Sequence, residues 1–122
     1  MKKKNNKIIP LEIDEQATFV EYLKIKRLLF SAITQDTYTT SWSQKRRNKM
    51  LGVEKGLPDL IIFIPKKNIL LFIEMKRQNS SPSQTKQSQK DWLEALNQVS
   101  GVLAVVCRGA QEAIDLVEKS LK

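Results

Sequence analysis

Histidine is absent from the sequence, and cysteine occurs once, as Cys107. Without histidine, Ser-His-Asp and Cys-His catalysis and imidazole-based metal sites are excluded. A single cysteine excludes an intramolecular disulfide framework and a cysteine-rich zinc site. An apolar run of about 18 residues, the length of a membrane span, is also missing, and no signal-type apolar stretch follows the basic start. Any enzyme chemistry must therefore come from carboxylates, lysine and a bound metal, and we expect a cytoplasmic protein with no membrane partner.

The composition is nevertheless that of a folded protein. Hydrophobic residues make up 41% of the 122 positions, enough to bury a core, and this length fits one domain. We assign residues 1–10 to a basic N-terminal arm that ends at Pro10, and residues 11–122 to a single domain.

Positive charge is in excess and unevenly distributed. The net charge is +8, of which +6 falls in residues 1–56 and +2 in residues 57–122. Such a bias suits the phosphate backbone of a nucleic acid, whose binding is driven by counterion release. A solubilising surface is the alternative that composition leaves open. Two basic clusters account for the bias: Lys2, Lys3, Lys4 and Lys7 in the arm, and Lys45, Arg46, Arg47 and Lys49 in the middle of the chain.

Apolar periodicity and turn signals predict an α/β fold with the element order α-β-β-β-α-β-α. The strongest signal is a hairpin of two continuous apolar runs, Leu60–Ile64 and Ile69–Ile73, which we expect to be buried on both faces. Residues 40–57 are polar, basic and punctuated by glycine, so we predict a long loop there. The other predicted elements are helices at 14–30, 86–99 and 110–121 and strands at 31–39 and 102–107.

The open end of the predicted hairpin is charged. If Ile64 pairs with Ile69 across the turn, Asp59 lies opposite Glu74, and Lys76 shares their face of the sheet. Opposed carboxylates destabilise a sheet unless something offsets their repulsion. One explanation is a solvated strand end, and the other is a divalent cation. Magnesium prefers oxygen ligands, and Lys76 could then orient a water or stabilise charge on a phosphoryl group.

Polar residues on two predicted helices support the metal hypothesis. Glu15 lies on the same helical stripe as Phe19, although acids are normally kept off core faces. Pairing with the helix dipole is the simpler explanation of Glu15, and Glu12, one helical turn earlier, is the competing acid. Gln89 similarly shares an apolar stripe with Trp92 and could reach the same site.

The run Pro58-Asp59, followed by Glu74-Met75-Lys76, resembles the signature of the PD-(D/E)XK nucleases. The wider pattern is similar to that of the VRR-NUC family, the virus-type replication-repair nucleases, and the resemblance covers residues 12–121. Besides the signature, the matching segments are Glu15-Gln16, Tyr22-Leu23, Gly52, Gly56, Gln89–Leu93 and Val105–Ala110.

The resemblance implies a PD-(D/E)XK-type core, a mixed sheet flanked by helices, and a metal-dependent DNA endonuclease. Structured or branched DNA such as a Holliday junction is the implied substrate, and a homodimer the implied assembly, in the host cytoplasm if a phage encodes the chain. Asp59 and Glu74 would bind magnesium, for which manganese can substitute, with the main-chain carbonyl of Met75 as a further ligand. Lys76 would be the catalytic lysine.

The resemblance also gives roles to residues outside the hairpin. Glu15 would be the accessory acid and Gln89 the glutamine beside the metal, while the basic residues 45–49 would hold the DNA backbone. The approach to the second helix departs from the family pattern, which leaves Gln84 as a second candidate, although helical phase favours Gln89. A non-catalytic nucleic-acid-binding module that retains the nuclease fold is the alternative function.

Overall fold

A four-stranded mixed sheet lies at the centre of the computed structural model, which describes residues 8–34 and 40–122. The strands lie side by side in chain order, and the first three are antiparallel while the fourth runs parallel to the third. They are β1 (Leu29–Ala32), β2 (Leu60–Ile64), β3 (Ile69–Lys76) and β4 (Val102–Arg108). The α-helices within the described residues are α1 (Glu12–Ile25), α2 (Trp42–Met50), α3 (Gln87–Asn97) and α4 (Ala110–Leu121).

The β2–β3 hairpin has the register that the sequence predicts. Ile64 pairs with Ile69 and Leu60 with Ile73, so the pairing ends one step before the charged residues. A 3-10 turn, Pro65–Lys67, connects the strands, and Asn68 follows it with a left-handed backbone (φ 57°) that asparagine tolerates. The hairpin therefore carries its two acids at the end opposite the turn.

The buried apolar core lies on one face of the sheet. Phe19 of α1, Val117 of α4 and Ile73 of β3 belong to one buried apolar cluster, so α1 and α4 cover the same face. Because side chains alternate along a strand, Glu74 and Lys76 lie on the opposite face. Helix α3 packs against β4, and its Gln89 contacts Lys76, which places α3 on that second face.

The expected mixed sheet flanked by helices is confirmed, but the predicted element order is incomplete. Helix α2 lies within residues 40–57, where the sequence predicts a loop. None of its side chains is buried, so it lacks the apolar stripe by which a helix is recognised in a sequence.

The boundaries of the first elements also differ from those predicted. Helix α1 starts before residue 14 and ends at Ile25, after which Arg27 turns the chain with a positive φ of 55°, and β1 follows at Leu29. Residues 35–39 of the predicted strand, and the arm lysines, lie outside the described residues. None of the helices in the described ranges is both long and apolar enough to cross a membrane.

Candidate active site

Three carboxylates from different parts of the chain meet at one end of the sheet. Glu12, Asp59 and Glu74 each offer an oxygen atom, and these atoms lie within 4.8 Å of one another. We call these three residues the acidic cluster. The hairpin register brings two of them together, because Leu60 pairs with Ile73 and the next residues outward face each other. Glu12, the exposed first residue of α1, supplies the third carboxylate.

Asp59 is fixed by contacts on both sides. The Met75 N–H donates to its Oδ2 at 2.8 Å, and its main-chain carbonyl accepts from the Ile33 N–H at 2.7 Å. Pro58, which is fully buried, restricts the backbone just before it. The role of the Met75 carbonyl as a metal ligand stays a prediction.

Electrostatics at the acidic cluster favour a bound cation. Glu74 is 3% exposed, and burial together with the neighbouring Asp59 carboxylate raises its pKa to about 8. The Lys76 ammonium lies 3.6 Å from Glu74 Oε2 and lowers that pKa, but it does not offset the other effects. Burial likewise raises the pKa of Glu12, with Lys76 lowering it and Asp59 raising it. Protons and metal ions compete for the same carboxylate oxygens. Carboxyl groups with raised pKa values, which retain their protons to higher pH, can exchange those protons for a metal ion.

Gln89 is the glutamine that the structure brings to this site. The Lys76 ammonium donates to its Oε1 at 3.4 Å, and the same oxygen accepts from the Lys86 N–H at 3.0 Å at the start of α3. Gln89 thus caps its own helix and holds Lys76 toward α3. Gln84 lies in the exposed 3-10 turn Pro82–Gln84.

Glu15 lies outside the acidic cluster. It is 5% exposed, and its Oε1 accepts from the Ala110 N–H at the first residue of α4, at 3.3 Å. An acid is favourable at a helix N-terminus. Glu12, the competing acid in the sequence, is the residue of α1 whose carboxylate lies in the acidic cluster. The sequence held a signal for this placement of Glu15. Because Glu15 shares a helical stripe with Phe19, its side chain is expected to turn into the core.

Helix α2 presents the central basic residues to solvent. Its N-terminus is capped by Ser41, whose Oγ accepts from the Gln44 N–H at 3.3 Å, a signal that could have predicted this helix. Trp42, its first residue, is 86% exposed, so it does not anchor the segment against the described part of the domain. The DNA-binding residues expected from the sequence, all of them exposed, are Lys45, Arg46, Arg47 and Lys49.

The sheet and the residues at its end define a class of protein. A mixed sheet flanked by helices, with an acid before one hairpin strand and Glu-x-Lys ending the other, is a nuclease-type domain of the PD-(D/E)XK fold. A family model described as the VRR-NUC domain matches residues 3–111, and the chain belongs to the VRR-NUC family.

A solved structure supports the same assignment. It is described as a VRR_NUC domain protein and is 26% identical to this chain, with a TM-score of 0.64 over 92% of this chain and 88% of that one. No curated protein matches the sequence. Family membership points to a hydrolase of the nuclease type with DNA as its substrate class.

Proposed function

We propose that this chain is a metal-dependent DNA endonuclease that hydrolyses phosphodiester bonds. The observation that carries the proposal is the convergence of three carboxylates within 4.8 Å, beside the ammonium of Lys76. Carboxylates this close repel one another, and the pKa of Glu74 is raised by burial together with the repulsion from Asp59. A divalent cation would relieve it.

The donors of the acidic cluster fit a hard cation. Magnesium prefers carboxylate, carbonyl and water oxygens, and manganese accepts the same set. Glu12, Asp59 and Glu74 would hold the ion, with the Met75 carbonyl as a further ligand. When bound, it would acidify a water and neutralise charge on the scissile phosphate.

Lys76 is positioned to act on the attacking water. Its ammonium donates to Gln89 at 3.4 Å and forms an ion pair with Glu74 at 3.6 Å, and with three N–H groups it can also donate to a water or a phosphoryl oxygen. Hydrolysis forms a bond between the water oxygen and phosphorus and breaks one P–O ester bond. The water loses a proton and the departing oxygen gains one. Lys76 would orient the water and stabilise the developing charge.

Helix α2 would hold the DNA. Its exposed cations suit phosphate contacts, which are independent of sequence. Trp42 beside them could stack on an unpaired base, which favours structured or branched DNA, including four-way junctions, over plain duplex. A symmetric homodimer would allow two such sites to cut both strands.

A substrate panel tests the proposal. The full chain is incubated with magnesium or manganese and labelled linear duplex, single-stranded, flap and four-way DNA. We expect Lys76→Ala to abolish cleavage while DNA binding and the thermal unfolding midpoint stay nearly unchanged. Lys67→Ala, which removes an exposed lysine at the opposite end of the hairpin, is the matched control and should cleave normally.

Two outcomes would contradict this assignment. Undiminished cleavage by Lys76→Ala would remove the lysine from the mechanism. Binding without cleavage by the unmodified protein, on every substrate and with either metal, would favour the non-catalytic nucleic-acid-binding module.

A further inference from the structure

The first turn of α1 has no side-chain cap of its own. The helix begins at Glu12, and the N-cap position is Leu11, whose side chain has no oxygen to accept a hydrogen bond. Glu12 nevertheless lies within 4.8 Å of two other carboxylates, which repel it when ionised. The start of α1 therefore lacks the local side-chain contact that commonly fixes where a helix begins.

Arg77 provides a contact from outside the helix. Its Nε donates to the Pro10 carbonyl at 3.1 Å, and its Nη2 donates to the Ile9 carbonyl at 2.8 Å. These carbonyls belong to the segment that leads directly into α1. Because the guanidinium is planar and its donors are fixed relative to one another, the two bonds together restrict both the position and the orientation of that segment.

The place of Arg77 in the chain links this anchor to the site. It directly follows Lys76 at the end of β3, and neighbouring residues of an extended chain point in opposite directions. One strand end therefore directs Lys76 toward Gln89 and Arg77 toward the chain before α1.

We infer that Arg77 is a positioning residue for the metal site: by binding the segment before α1, it holds Glu12 in the acidic cluster. The inference rests on the proposed function, since it concerns the same metal. Residues that orient metal ligands in this way commonly change metal affinity by about 10- to 100-fold when removed.

The rest of α1 is anchored independently of Arg77. Glu15 accepts from the Ala110 N–H at 3.3 Å, and near the other end of the helix the Tyr22 hydroxyl donates to Glu118 at 2.5 Å. Lys26 forms an ion pair with the same Glu118 at 3.1 Å. Loss of Arg77 should therefore release the start of α1 without unfolding the domain.

Calorimetric titration of the full chain with Mn²⁺, without DNA, tests the inference. We expect Arg77→Met to weaken Mn²⁺ binding by about tenfold, while the unfolding midpoint in EDTA stays nearly unchanged. Arg77→Lys should restore part of the affinity, because an ammonium can still bind one carbonyl. If Arg77 acts through Glu12, Arg77→Met should cause no further loss in a Glu12→Gln background.

Arg108→Met is the matched control. Arg108 ends β4 and also donates to a main-chain carbonyl, that of Ser80 at 3.1 Å, but it does not hold the start of α1. This variant should bind Mn²⁺ normally.

The outcomes distinguish the inference from the function on which it rests. No weakening by Arg77→Met, or an equal weakening in the Glu12→Gln background, would overturn the inference alone. Unchanged Mn²⁺ affinity in Glu12→Gln itself would remove Glu12 from the proposed metal site, and the inference with it.

Discussion

At the scale of single residues, burial and charge conflict most strongly at Glu74. Its side chain is almost inaccessible and lies next to Asp59, and its pKa is raised to about 8. At neutral pH and without metal, the carboxyl group therefore keeps a proton. A bound cation must displace that proton, which couples metal binding to pH.

The affinity for divalent metal should consequently rise with pH until about 8, the pKa of Glu74. If each ion displaces one proton, the apparent Mn²⁺ affinity increases about tenfold per pH unit below that value. Calorimetric titrations between pH 6 and 8 measure this slope. Glu74→Gln should bind metal weakly and with little pH dependence, whereas a slope as steep as that of the unmodified protein would contradict the assignment.

The raised pKa of Glu74 also makes the stability of the metal-free fold depend on pH. Whereas metal affinity should rise with pH, the free energy of unfolding should fall. Because folding raises the pKa of Glu74 from 4.5 to about 8, its protonated form stabilises the fold fully below pH 4.5. This stability is lost progressively as the pH rises from 4.5 to about 8. Thermal unfolding in EDTA should show the loss. The curve should be flatter for Glu74→Gln, while Glu94→Gln, which alters an exposed acid of α3, should follow the unmodified protein.

The sequence predicted part of this site for a clear physical reason. Two continuous apolar runs joined by a four-residue turn set the register, and register alone brings Asp59 opposite Glu74. The choice between Glu12 and Glu15 depended instead on which side of α1 faces the core: Glu15 lies on the buried stripe of Phe19, whereas Glu12 is the exposed first residue of the helix. The sequence shows that stripe, but it does not show that Arg77 binds the Pro10 carbonyl just before α1, because that contact joins residues far apart in the chain.

At the scale of elements, β2 and β3 were predicted from the sequence, whereas α2 was not. The strands were predictable because burial forces them to be apolar, whereas α2 has no buried side chain and its composition resembles that of a loop. The proposed function would account for this composition, since a helix that binds a phosphate backbone needs cations rather than an apolar stripe.

The loop between α2 and β2 contains a glycine whose role can be tested. Gly56 has a φ of 107°, and a Cβ at this position would lie 2.6 Å from the Ser88 carbonyl oxygen in α3. Gly52 shares the positive φ, at 77°, but has open space around it. Both alanine variants should lose about 1–2 kcal/mol because of the unfavourable backbone. Gly56→Ala should lose clearly more, because the loop must also move away from α3.

Urea unfolding of the two variants measures the difference. Gly56→Ala should also cleave DNA more slowly, because α3 carries Gln89, which holds Lys76. Equal losses of unfolding free energy in Gly56→Ala and Gly52→Ala would show that the close approach to α3 contributes nothing.

At the scale of the whole molecule, charge is unevenly distributed along the chain. The net charge of +8 is concentrated before residue 57, while the described end of the sheet gathers three carboxylates. In the proposed function, this distribution would let one small domain attract both a polyanion and a divalent cation. Long-range attraction then depends on where the cations lie, not only on their number.

The basic face of α2 should therefore matter more to DNA binding than net charge does. Removing one lysine or arginine that pairs with a phosphate should reduce the slope of log affinity against log salt by about 0.9, so neutralising α2 should flatten that slope and weaken binding at low salt. Binding isotherms over a range of salt concentrations, with a metal-free buffer to prevent cleavage, measure both quantities.

The α2 variant changes Lys45, Arg46, Arg47 and Lys49 to glutamine. The control, with the same change in net charge at exposed positions elsewhere, changes Lys66, Lys67, Lys119 and Lys122 to glutamine. If affinity and salt dependence fell to the same extent in the two variants, the total charge of the protein rather than the surface of α2 would determine how it binds DNA.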